Sequence, residues 1–296
     1  MAGLKDIKRR IKSVKNTKKI TYAMKLVSAA KLKKAQDAVK ASREYTDALG
    51  QLLSELLAAL STQPDLEHPL TETRPEVKKI RIVVVGGSRG LCGAFNTNIN
   101  KRVESARREL AAKNPGASID AVIFGKKPFE YHRNRKIPFS KHYIGLSEDA
   151  NEWPIEEVCL KLESDFISGE IDEAYILYTQ FRSAMSQSVL LEKLLPMDAG
   201  LSESGGAELS TGLTLFEPSA EAVFEAILPR ILRTKILQAG LDSKASEHGS
   251  RMVAMDSATK NAGELVHKLS LKHNKLRQGA ITSELLDIIG GAEALN

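Results

Sequence analysis

Two helical seams at opposite ends of this 296-residue chain constrain its fold most, because neither can bury its apolar stripe without the other. From Leu4, a 3,4 alternation reads Leu4, Ile7, Ile11 and Val14, then Lys18, Thr21, Lys25 and Ser28, then Leu32, Ala35, Val39, Ser42, Thr46, Leu49, Leu53, Leu56 and Leu60. This is a heptad pattern. The last stretch repeats it with Met255, Ala258, Ala262, Leu265, Leu269, Lys272, Leu276 and Gly279, then steps across to Ile281, Leu285 and Ile288. A helix over 4–60 would be roughly 85 Å long at its usual rise per residue. That is far longer than a small domain.

The net charge of +6 conceals an asymmetry. Residues 1–45 hold fourteen Lys and Arg against Asp6, Asp37 and Glu44, so this segment is +11 and the rest of the chain is −5. Phosphates of nucleic acid, an anionic membrane surface or acidic segments of another protein could each neutralise such a helix. Nucleic-acid binding calls for aromatic residues interleaved with the charge, and only Tyr22 and Tyr45 are present. Cys92 and Cys159 form no C-x-x-C, so neither a disulfide framework nor a thiol redox motif is indicated, and a reducing compartment fits. No apolar run is long enough to span a bilayer, and no apolar core follows Met1 as a signal peptide requires.

Pro64, Pro69 and Pro75 mark 61–79 as a linker after the first helix. From 80 the pattern changes to short β-branched runs: Ile80 to Val85, Ile119 to Phe124 and Ala174 to Tyr178 read as strands, with a further apolar run from Val189 to Leu195. Helices are expected over about 97–113 and 154–168. This alternation over 80–196 predicts an α/β domain with a largely parallel sheet. The Gly- and Ser-rich 197–215 reads as a connection, and helical patterning resumes through 216–296, where Pro229 and Gly240 are candidate interruptions and the pattern leaves open whether Pro229 kinks the helix or marks its start. The α/β domain is thus inserted between long N- and C-terminal helices that must pair antiparallel.

The motifs give no active site. Gly86-Gly87-Ser88-Arg89-Gly90 matches the G-x-S-x-G nucleophile elbow after a strand, but a hydrolase sheet needs several strands before it. The histidines that follow the α/β segment, His248, His267 and His273, fall on the long helix. Gly87, Gly90 and Gly93 do not have the G-x-G-x-x-G spacing of a dinucleotide turn, and no P-loop occurs. The six histidines show no H-E-x-x-H, and adjacent carboxylates such as Glu156 and Glu157 diverge on a helix, so neither a metal site nor acid–base chemistry is expected. An esterase centred on Ser88 and a coiled-coil nucleic-acid binder are the alternatives from other classes.

The polar interruption of the first seam carries more. At Lys18, Thr21, Lys25 and Ser28 the apolar residues shift to a neighbouring face as Ile20, Ala23, Met24 and Val27. Pattern alone allows a stutter, or a stretch that leaves its partner helix to face something surrounding it. Asn16-Thr17-x-Lys19-Ile20-Thr21-x-Ala23-Met24, Gly90-Leu91-Cys92-Gly93, Arg251-Met252-Val253-Ala254-Met255 and Arg277-Gln278-x-x-Ile281-Thr282-x-Glu284 together resemble the signatures of the gamma subunits of F-type ATP synthases, in the same order along the chain.

The resemblance implies a fold of α/β plus α-helical coiled coil, with a Rossmann-like α/β domain between the terminal helices. It implies a central stalk turning inside a ring of alpha and beta subunits, with the α/β domain near the epsilon subunit and the membrane c-ring. Such a chain transmits torque, and holds no catalytic residue, cofactor or metal of its own. Met24 and Lys25 would face acidic lever segments of the beta subunits. Arg277 and Gln278 would meet a beta-subunit loop, with Thr282 and Glu284 close by, and Phe216 and Glu217 would lie in the foot near the membrane ring. Neither nucleic-acid binding nor membrane insertion is implied. The expected location is the cytoplasmic side of a bacterial inner membrane, held peripherally. Ser88 departs from the family's turn, which carries an acidic residue there, so no role of that acid transfers.

Overall fold

The computed structural model describes residues 3–60, 68–197, 217 and 219–293. Two compact units divide the chain. One comprises residues up to Ala29 together with those from Arg251 onward, and the other runs from Ala30 to Ser250. The division cuts through both long helices, α1 (Leu4–Leu60) and α5 (Ala220–Glu293).

In the Ala30–Ser250 unit a five-stranded sheet has the order β3-β2-β1-β4-β5, from β1 (Lys79–Val85), β2 (Ser118–Phe124), β3 (Lys141–Tyr143), β4 (Glu173–Phe181) and β5 (Gln187–Leu195). The first four pair in parallel and β5 runs antiparallel to β4. Strands buried on both faces need continuous apolar runs, and Ile82 to Val85 and Ala121 to Phe124 supply them. The connections are α2 (Phe95–Lys113), α3 (Lys126–Arg135) and α4 (Ile155–Ile167). Phe95, Ile99, Val103, Ala106 and Leu110 recur at helical spacing along α2 and pack on Ile80, Ile82, Val84, Ile119, Ala121 and Ile123.

The helix α3 and the strand β3 were not expected from the sequence. The helix buries only Pro128 and His132 among charged neighbours, too sparse an apolar stripe to register, and β3 is a three-residue edge strand. Neither Pro229 nor Gly240 interrupts α5. A proline inside a helix costs about 3 kcal/mol, which is opposed here by the burial of Phe224, Ile227, Leu228, Ile231 and Leu232 around it. Gly240 has a packing reason: a Cβ there would meet the Trp153 ring at 3.2 Å and Ala150 Cβ at 3.4 Å.

In the terminal unit the beginning of α1 lies antiparallel against the C-terminal half of α5. As the α1 number falls through 25, 21 and 18, its α5 neighbour rises through 256, 259 and 263. The α1 seam holds its register through the polar stretch: Thr21 and Ser28 are buried, Lys25 is half-buried, and Lys18, though exposed, lays its ammonium beside Gly263. The stretch therefore neither stutters nor leaves its partner. It stays paired through polar contacts, while Ile20, Ala23 and Val27 face outward.

The expected α5 seam holds at Met255, Ala258, Ala262 and Leu269 and is displaced at two positions. The inward residues are Met255, Ala258, Thr259, Ala262, Val266, Leu269 and His273, whereas Leu265 and Lys272 are exposed. Both readings fit a 3,4 alternation. Ile281, Leu285 and Ile288 are also exposed.

Candidate functional site

Over 18–28, α1 presents two layers. The inner layer is polar: Thr259 Oγ1 lies 2.8 Å from Thr21 Oγ1 and donates to Met255 O at 2.7 Å, and Thr21 Oγ1 donates to Lys18 O at 3.1 Å. Lys25 Nζ donates to Asp256 Oδ1 at 2.7 Å, and Lys260 binds the other oxygen at 2.8 Å. Hydrogen bonds from these two ammonium groups hold the Asp256 carboxyl down at about 2. The outer layer is apolar among cations, with Ile20 60% and Val27 57% exposed beside Tyr22 and Leu26. A helix that reserves its polar residues for its partner and its apolar ones for the surface inverts the usual amphipathic order. Such a face marks an interaction site.

The predicted contact residues divide on this geometry. Met24 is half-buried between the layers, and Lys25 is committed to Asp256. Arg277, Gln278, Thr282 and Glu284 are all exposed on α5, where Thr282 Oγ1 donates to Gln278 O at 3.0 Å. Glu217 is exposed, and Phe216 lies outside the described residues. Thr259 and Asp256, the partners that make the inner layer polar, were missed. Their signal was a threonine and an aspartate directly across an antiparallel seam from Thr21 and Lys25.

In the other unit the turn after β1 is organised by Asn96, whose side chain accepts from Gly87 N at 3.1 Å and donates to Arg89 O at 3.1 Å and Cys92 Sγ at 3.2 Å. Ser88 Oγ accepts from Lys126 N at 3.4 Å, a backbone amide that cannot serve as a general base. Near this turn Glu148 gathers four cationic or protonatable groups: Lys31 at 3.1 Å, His248 at 3.3 Å, Arg89 at 3.6 Å and Lys244 at 3.7 Å. Burial pushes the Glu148 carboxyl up, but Lys244, Lys31 and His248 outweigh it and hold it down at about 2. This cluster joins α1, α5 and the turn. It could not be read from spacing, since its members are scattered across more than 200 positions.

Cys92 and Cys159 are both buried, and burial pushes the Cys159 thiol up to about 12, which makes it a poor nucleophile. Among the described residues no group of His, Cys, Asp and Glu is placed to hold a metal ion, and no described helix is long and apolar enough to cross a membrane.

Comparison with known proteins bears directly on this arrangement. A family model described as ATP synthase matches residues 3–295. The ATP synthase gamma chain of Heliobacterium modesticaldum is 42% identical over 299 aligned residues that cover all of both chains, and that of Anaeromyxobacter sp. strain K is 41% identical over 296 residues, again covering both completely. Among solved structures, the rotor of the Euglena gracilis mitochondrial ATP synthase matches with a TM-score of 0.57 at 16% identity, covering 94% of this chain and 98% of that one. The central stalk and c-ring structure of the Tetrahymena thermophila mitochondrial enzyme matches with a TM-score of 0.57 at 23% identity, covering 81% and 99%. These two share the fold. Identity at this level over the full length of bacterial relatives, in a chain with paired terminal helices around an α/β domain, places this protein in the family of ATP synthase gamma chains.

Proposed function

We propose that this chain is the central shaft of a rotary ATP synthase, carrying torque between a proton-driven membrane ring and the catalytic alpha and beta subunits, and catalysing no step itself. The observation that carries this reading is the two-layered stretch of α1 over 18–28, in which the inward contacts are polar and the apolar and basic residues face out. A shaft must be gripped by its sleeve and still turn. Small apolar contacts interspersed with cations provide repeated weak contact without the deep locking of a continuous hydrophobic surface.

On this reading the basic helix meets acidic segments of the beta subunits. Arg277, Gln278, Thr282 and Glu284 are open for contact with a beta-subunit loop. Met24 is positioned at the margin of the contact, and Lys25 supports it from beneath through Asp256. Glu217, with Phe216, would belong to the foot beside the epsilon subunit and the c-ring. The protein would sit peripherally on the cytoplasmic face of a bacterial inner membrane. The bacterial relatives support that placement.

The test is to tag the chain near Gly205, purify it gently from its own cells, and record co-purifying subunits together with ATP hydrolysis. An ATPase-active assembly of alpha and beta subunits is expected. A lone, ATPase-silent chain would overturn the reading and return attention to a nucleic-acid partner.

A further inference from the structure

The pairing of β1 with β4 ends at Val84 and Leu177, yet β4 continues to Phe181. On the other side β5 pairs with β4 over its full length. Among the described residues the β1-side edge of β4 from Thr179 to Phe181 therefore has no strand beside it, and backbone groups buried there must find partners elsewhere. All four find them on the long helices. Thr179 N donates to Ser243 Oγ at 3.2 Å, and Thr179 O accepts from Ser246 Oγ at 3.2 Å. Phe181 N donates to Asp242 Oδ1 at 3.3 Å, and Phe181 O accepts from Arg43 Nη2 at 3.0 Å. Arg43 Nη2 also donates to Asp242 Oδ1 at 3.0 Å, which ties α1 to α5 at the same point.

The side chains of two helices thus stand in for a missing strand. Asp242, Ser243 and Ser246 are buried. Just beyond them Ser250 Oγ donates to Gln187 Oε1 at 2.8 Å. At Gly249, which closes against the β4–β5 hairpin, an added Cβ would lie 3.2 Å from Ala184 Cα. A polar run, Asp242-Ser243-Lys244-Ala245-Ser246-Glu247-His248, inside a helix that is otherwise apolar at seam spacing is costly to bury unless each group is paired. A fold that needed only adhesion would use leucines here. Hydrogen bonds add direction: they resist sliding and twisting of a helix along a strand edge, which apolar contact alone resists weakly.

We infer that Arg43, Asp242, Ser243 and Ser246 form a torque clamp, the rigid joint through which rotation passes between the sheet of the α/β domain and the two helices that continue into the terminal unit. This rests on the shaft reading above. The four residues are positioning residues. They touch no substrate, and their work is to keep the angle of the domain locked to that of the helices.

The test is rotation of single assembled complexes with the alpha/beta hexamer fixed to a surface and a bead attached to the domain at Ala112→Cys, an exposed site on α2. The two native cysteines are buried and will not compete for the label. The angular variance of the bead during each catalytic dwell is inversely proportional to the stiffness of the path from hexamer to bead. Ser243→Ala with Ser246→Ala removes two of the four bonds and leaves Thr179 N and O unpaired, so the joint softens in series with the helices and the variance should rise above wild type. ATP hydrolysis without load should stay at the wild-type rate. Arg43→Gln, at a half-exposed side chain, is expected to widen the variance as well and keeps the measurement available should the double variant not fold. Variances equal to wild type in the variants that assemble would overturn the clamp and leave the shaft reading intact. A wild-type chain that never assembles with alpha and beta subunits would instead overturn the shaft reading itself.

Discussion

Replacing Glu148 with glutamine removes one charge from the centre of a cluster while nearly keeping its shape. Lys31, Arg89, Lys244 and His248 surround the carboxylate at 3.1 to 3.7 Å. The fall of its pKa from the ordinary 4.5 to about 2 would convert in full to about 3 kcal/mol. The carboxylate is 43% exposed, however, and solvent screening at that exposure reduces the figure to about 1–1.5 kcal/mol. Lys244, at only 13% exposure, would suffer most, because its remaining partners are Glu247 at 3.8 Å and the Trp153 ring at 5.9 Å.

The pH dependence follows from the direction of the shift. A carboxyl whose folded pKa is lowered contributes its full stabilisation above its unfolded value of 4.5, and loses it as pH falls through the folded value of about 2. At pH 7 the variant should therefore be about 1–1.5 kcal/mol less stable than wild type, and by pH 3 the difference should shrink to about half or less. Trp153 is the only tryptophan, buried, with Nε1 donating to Ser147 O at 2.9 Å beside the cluster, so its fluorescence reports this region directly. Urea titration preserves the electrostatics that guanidinium would screen. An unchanged urea midpoint at pH 7, or a deficit as large at pH 3 as at pH 7, would refute the reasoning.

Gly125→Ala should destabilise the Ala30–Ser250 unit by at least about 2 kcal/mol or prevent folding, because φ is +104° there and a Cβ would strike the Gly86 carbonyl; a soluble variant with the wild-type urea midpoint would contradict this. Ile99→Ala, at a fully buried position beneath the sheet, should cost about 3 kcal/mol, whereas Ile20→Ala should change the isolated chain by under about 0.5 kcal/mol and yet weaken its assembly with alpha and beta subunits. A loss above about 0.5 kcal/mol at Ile20 in the isolated chain, outside the range usual for surface sites, would show that its apolar surface is already used internally. Neither Cys92 nor Cys159 should react with a charged thiol reagent before unfolding, and rapid labelling of either in the native chain would show that its burial is transient.

The sequence exposed what repeats and hid what is assembled from distant positions. The α1 seam was legible because burial follows one 3,4 alternation from Ile7 to Leu56, and the polar members Thr21 and Ser28 keep their places in it. The α5 seam was legible as a helix but not in register, because Leu265 and Val266, or Lys272 and His273, serve a heptad equally well until a partner selects between them. Strands β1 and β2 announced themselves by β-branched runs, whereas α3 owes its existence to the crossover between β2 and β3 more than to its own residues. The candidate contacts Arg277, Gln278, Thr282 and Glu284 came from resemblance alone, and nothing in their spacing distinguished them from an ordinary solvated helix face.

The two polar regions of α5 solve opposite problems. Along the terminal unit, Asp256 and Thr259 meet Lys25 and Thr21 through contacts that leave the apolar residues of α1 free for an outer partner. Along the other unit, Asp242, Ser243 and Ser246 meet backbone groups of a strand edge, and no face is left over. The first arrangement suits a surface that must slip past its neighbours, since solvated cations and scattered apolar groups make contacts that are weak individually. The second suits a joint that must not slip, since each buried bond leaves an unpaired backbone group behind if it breaks. A single helix can serve both ends only if its polar residues are distributed by what they must face. That explains why one stretch of α5 is packed on every side and the other is open on one.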